Sequence, residues 1–166
     1  MKKKKIIIAI MTLIVIWVIA IWGFLLVTGI SFMKYNQEKR LITAEQFKEI
    51  MESKEYTIYD ITKQYPNFTM VYVAKNSTNN YQIEFYENDY TSESIQVYNS
   101  LVNDIESEKN ESQNYSDMKF KNYAKHTLSA NGKYMVVSRI ENTVVYAEVD
   151  ESFEDEVNNL LDEIGY

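Results

Sequence analysis

The chain has no cysteine, a single proline, four glycines and one histidine. Without cysteine it has no disulfides, no thiolate nucleophile, no cysteine zinc site and no thioether lipid anchor. That absence does not name a compartment, because a cysteine-free chain suits either redox environment. So little glycine excludes a glycine-rich phosphate loop, and so little glycine and proline together argue against disorder. A lone histidine makes neither a zinc centre nor, without a placed partner, acid–base machinery. His126 stands in "YAKHTLS" with no serine or carboxylate at a known spacing, and it reads as structural or surface-lying.

Positive charge is also scarce beyond the first residues. With Lys2 to Lys5 set aside, 13 basic residues face 24 acidic ones, a net charge of −11. Such a chain repels nucleic acid and anionic lipid headgroups, so nucleic acid is excluded as a partner. The acidity suits a cationic partner or a divalent cation, or simply keeps an exposed domain soluble.

The chain does have a long apolar run, Ile6 to Ile30, directly after four lysines. A helix of that length measures roughly 37 Å and spans a bilayer core of about 30 Å with some tilt. Secretory leaders have shorter apolar regions and a small-x-small cleavage site, for which Val27-Thr28-Gly29 is a poor match. The run is therefore read as a retained signal anchor. The compact Lys2–Lys5 cluster keeps the N-terminus cytoplasmic and sends the rest of the chain outside. The expected layout is a basic tail at 1–5, a transmembrane helix at 6–30, a connector at 31–42 and an extracytoplasmic domain at 43–166.

Within that domain, "TAEQFKEIM" starts a helix with Thr43 as N-cap, Gln46 closing a capping box and Ile42 stapled to Phe47. "YTIYDI", "TMVYVAK" and "YQIEFYE" read as strands, the last two joined by the turn "NSTNN". A second helix follows from Thr91 to about Lys109, its apolar stripe formed by Ile95, Tyr98, Val102 and Ile105. "NESQNYSD" reads as a polar loop. A three-stranded meander then turns at Asn131-Gly132 and at Glu141-Asn142. Two-residue turns there set His126 opposite Val137, and Val137 opposite Tyr146. A last helix carries Phe153, Val157, Leu160 and Ile164 on one face, with Leu161 beside it, and stops at Gly165. The order α-β-β-β-α-β-β-β-α describes an α+β domain, one antiparallel sheet with helices on one face.

Candidate chemistry is sparse. "YENDYTSESI" alternates acids but lacks the glycine and terminal glutamate of a calcium loop, so it reads as a strand-to-helix junction. The acidic run Asp150 to Glu156 reads as electrostatics at a helix start. No catalytic, cofactor or metal residues stand out. Tyr59, Tyr72, Tyr86, Tyr123, Tyr134 and Tyr146 all fall in predicted strands and form the candidate interaction surface, since tyrosines stack on sugars and anchor interfaces.

"TAEQFKEIMESKEYTIYDIT", "YQIEFYE" and "GKYMVVSRIENTVVYAEVDESFEDEV" resemble the small uncharacterised single-span envelope proteins of low-GC Gram-positive bacteria. The resemblance implies a bacterial origin and an outward-facing domain, and it supplies no activity and no site residues. The resulting expectation is a single-pass plasma-membrane protein with a non-enzymatic binding module that meets another envelope protein or a cell-surface ligand, with no cofactor. The alternative is a cell-envelope enzyme with a carboxylate-based site.

Overall fold

The computed structural model describes residues 39–109 and 114–166, and Glu38–Tyr166 form one compact unit. The basic tail, the apolar segment 6–30 and the connector up to residue 38 lie outside the described residues. Among the residues described, no helix is long and apolar enough to cross a membrane.

The first helix, α1, covers Ala44–Ser53 and has the expected capping box. Gln46 N–H donates to Thr43 Oγ1 at 3.3 Å, and Thr43 N–H donates to Gln46 Oε1 at 3.1 Å. Ile42 and Phe47 lie in the same core cluster, as a staple requires. Strands β1 (Thr57–Asp60), β2 (Met70–Asn76) and β3 (Tyr81–Glu87) follow, then helix α2 (Thr91–Glu106). Four strands come next: β4 (Asn114–Lys119), β5 (Tyr123–Ala130), β6 (Lys133–Ile140) and β7 (Thr143–Asp150). Helix α3 (Glu154–Glu163) follows and ends as expected, with Gly165 at φ +99° and Tyr166 N–H returning 2.7 Å to Leu161 C=O.

All pairings are antiparallel and the order is β1-β2-β3-β7-β6-β5-β4. The chain leaves β3 through α2 and starts again at the far edge. It then winds inward until β7 closes against β3. The turn residues Asn131 and Gly132 both have positive φ, and Glu141 does too. Register follows from those turns: His126 faces Val137, and Val137 faces Tyr146.

Two expectations are corrected. The segment read as the polar loop "NESQNYSD" contains the start of a seventh strand, β4. That strand is nearly all exposed and paired on one side only, so it has no apolar alternation to betray it. The helices also do not share one face. Helices α1 and α3 cover the face carrying Phe85, Val136, Val145 and Ala147, whereas α2 covers the opposite face at Val137, Val144 and Leu128. The cause lies in β5, β6 and β7, which are buried on both sides, with apolar runs at successive positions in β6 and β7. In α2, Tyr98 and Ile105 are buried, while Ile95 is 42 % exposed and takes no part in the stripe.

Lys125 is the charged intruder beneath the first layer, 8 % exposed, between Met118 and Ser138 on the neighbouring strands. Burial, chiefly, lowers its pKa below the ordinary 10.5; Lys39 adds to the shift and Asp162 opposes it. The folded state thus resists the ammonium at neutral pH, whereas the unfolded state holds that proton up to about 10.5. Lys125→Met is expected to raise stability at pH 7 by on the order of 1 kcal/mol. The gain should shrink as pH rises from the lowered value towards 10.5, as read by urea unfolding at both pH values.

Candidate ligand-binding groove

The face carrying α2 is only partly covered. That helix packs on β5, β6 and β7, and the loop after β1 brings Ile61 and Phe68 over one end of the rest. One cross-strand row stays open at its β1 end: Tyr59, Val73, Glu84 and Tyr146 stand directly opposite one another in turn. Beside this row lies a groove of about 720 Å³, between the β2–β3 turn and the Asn131-Gly132 turn. Aromatic surface from Tyr81, Tyr146 and Phe153 lines it, with Lys75, Asn79, Gln82, Glu84, Lys133 and Glu148.

Strand periodicity places these groups. Alternate residues of β3 and β7 point to the α2 side, so Gln82, Glu84, Tyr146 and Glu148 share one surface while Ile83, Phe85 and Ala147 fill the core opposite. The two carboxylates are then held from both sides. Lys133 Nζ sits 2.5 Å from Glu148 Oε1, and Tyr146 O–H donates to Glu148 Oε2 at 3.1 Å. Gln82 Nε2 donates to Glu84 Oε1 at 3.0 Å, and Tyr86 O–H donates to Glu84 Oε2. The lysine hydrogen bond, ahead of any other cause, holds the Glu148 carboxyl below its ordinary range. Burial, with the nearby glutamates adding, pushes both tyrosine hydroxyls well above theirs. Two carboxylates held in this way beside the half-buried Tyr146 ring can accept hydrogen bonds from hydroxyl groups.

The rim is fixed too. Asn79 Nδ2 donates to Glu156 Oε2 at 3.0 Å, and Tyr81 O–H donates to Glu156 Oε1 at 2.6 Å. Tyr56 and Tyr81 hydroxyls lie 2.5 Å apart. The β2–β3 turn is thereby tied to the first turn of α3, so the acidic run at the helix start serves local structure.

The six tyrosines divide by strand parity. Tyr59, Tyr86 and Tyr146 stand on the α2 side, with Tyr59 half exposed. Tyr72, Tyr123 and Tyr134 face the other layer and are buried there among core residues. The first three share one sheet face, where Tyr86 is buried like Tyr72, while Tyr59 and Tyr146 reach solvent.

His126 acquires partners that sequence spacing did not disclose. Glu106 Oε1, from the end of α2, lies 2.8 Å from Nε2, and Asp117 Oδ1, from β4, lies 3.7 Å from Nδ1. Close as they are, Glu106 Oε1 and His126 Nε2, both buried, do not form a hydrogen bond. At 4 % exposure the imidazole is closed to a substrate, and the cluster holds α2 and the edge strand to β5. Among the described residues, no group of three or more histidine, aspartate and glutamate side chains could hold a metal ion.

No family model, curated protein or solved structure matches the chain.

Proposed function

We propose that this chain is a membrane-tethered, extracytoplasmic and non-enzymatic binding module whose groove takes a hydroxyl-rich cell-surface ligand, a glycan. The observation that carries this reading is the position of the groove. The chain enters the described domain at Lys39, whose carbonyl accepts from Asn122 Nδ2 at 3.0 Å beside the β4–β5 turn. The groove lies at the opposite end of the strands, by the β2–β3 and β5–β6 turns. A tether at one end leaves the other free to reach outward.

The lining supports a sugar ligand. The half-buried ring of Tyr146 offers an apolar face for pyranose C–H groups, and Gln82, Glu84 and Glu148 offer acceptors and donors to hydroxyls. The enzyme alternative would need one carboxyl to keep its proton near neutral pH as a general acid. Lys133 pushes Glu148 the other way. The groove is therefore read as a site for holding, not cleaving.

Calorimetric titration of the full chain in detergent micelles with soluble N-acetylglucosamine oligomers tests this. Saturable binding without release of shorter oligomers is expected. Shortened products would turn the reading to the enzyme, and no heat of binding across the oligomer series would overturn the glycan.

A further inference from the structure

The groove gives onto a strip of part-open sheet that leads to the β1 edge. Two cross-strand rows form it. One runs from Tyr146 through Glu84 and Val73 to Tyr59, and the other from Gln82 through Lys75 to Thr57. Exposure grows outward along the first row: Tyr146, Glu84 and Val73 are half-buried, whereas Tyr59 is exposed. The whole second row is exposed. Val73 is an apolar side chain left part-open, although Tyr72 and Ala74 beside it in the strand are buried in the opposite layer. The next row is closed. There the loop after β1 returns, Ile61 N–H donates to Val71 C=O at 3.0 Å, and Phe68 packs on Tyr86 with ring centroids 5.3 Å apart. That loop walls the strip along one side, so its long direction runs across the strands.

We infer that the glycan lies across the strands along this strip, with Tyr59 as a second aromatic anchor that sets the length of chain the site holds. The inference rests on the glycan reading of the groove. Neighbouring strands lie about 4.8 Å apart, so three steps from β7 to β1 set Tyr59 and Tyr146 roughly 14 Å apart. With bond lengths of about 1.5 Å, linked pyranoses advance roughly 5 Å per unit. The first and fourth rings of a tetramer match that spacing, whereas a dimer reaches only one tyrosine. One end of the chain sits at Tyr146 beside the two carboxylates, Val73 lies under the middle, and Tyr59 takes the other end. An exposed tyrosine on an edge strand is ordinary in itself. Tyr115 is such a case: it lies on the other edge strand, beyond α2, with Lys109 Nζ 4.2 Å over its ring. Tyr59 differs because it ends an unbroken row that starts in the groove.

The test is calorimetric titration of the full chain in micelles with the dimer and the tetramer of N-acetylglucosamine. Four proteins are compared: the parent, Tyr59→Ala, Tyr59→Phe and Tyr115→Ala. The parent is expected to hold the tetramer about tenfold more tightly than the dimer. Tyr59→Ala should lose that tenfold and bind the dimer as the parent does. Tyr59→Phe keeps the ring and should keep the preference for the tetramer, and Tyr115→Ala should match the parent at both lengths. Equal affinities of the parent for dimer and tetramer would overturn the transverse path and leave the groove a glycan site. A Tyr59→Ala variant that still prefers the tetramer tenfold would do the same. Equal weakening of both oligomers in Tyr59→Ala would also overturn it, since Tyr59 would then support the groove and not the far end of the ligand. Binding of neither oligomer by the parent would overturn the glycan reading, and the path with it.

Discussion

Tyr166→Ala is expected to cost about 3–5 kcal/mol, a third or more of the stability of an ordinary domain. Tyr166 is fully buried although it lies beyond the last helix. Its ring meets Phe85 edge-on at 6.4 Å, at the centre of the layer that α1 and α3 cover. Its hydroxyl pairs with Thr143 Oγ1 at the start of β7, and its N–H closes α3. One residue thus joins the last helix, the middle of the sheet and the entering strand of chain at Lys39. Tyr166→Phe separates these roles. It keeps the ring and leaves Thr143 still donating to Ile140 C=O at 2.9 Å, so a loss of only about 1 kcal/mol is expected. Urea unfolding of both variants reads the difference. Equal losses would mean that the hydroxyl, and not ring burial, holds this corner.

In the groove, Tyr146→Ala is expected to weaken oligomer binding about 30-fold, the effect of losing a central aromatic anchor. Two contributions combine there. The residue stands directly opposite Glu84 across the strands, and its O–H helps orient Glu148 at 3.1 Å. Tyr146→Phe keeps the ring and removes only the hydroxyl, so a loss of about fivefold is expected. Tyr72→Phe, on the covered face, should bind like the parent. A Tyr146→Ala variant that folds and binds normally would place the ligand elsewhere.

Much of the fold was legible because its signals are local. The Thr43–Gln46 box, the Asn131-Gly132 turn and the Gly165 stop each act within a few residues, and each appears where the sequence puts it. The cross-strand register of His126, Val137 and Tyr146 followed from turn length alone. What was missed depends on non-local packing. An exposed edge strand such as β4 has no buried face to write into its sequence. The side on which α2 settles decides whether Glu84 and Glu148 line an open groove or lie under a helix, and no spacing encodes that. The alternation in "YQIEFYE" did mark Gln82 and Glu84 as outward-facing, which was the one available signal for the site. Glu106 and Asp117 reach His126 only because the chain returns to the far edge of the sheet.

The most direct measurement is a map of amide chemical shifts in the labelled full chain, held in micelles and titrated with N-acetylglucosamine oligomers. Shifts are expected at Gln82, Glu84, Lys133, Tyr146 and Glu148, with Lys119 and Lys121 at the opposite corner unmoved. Shifts confined to residues outside the groove, or none at saturating oligomer, would contradict a glycan site on the open sheet face.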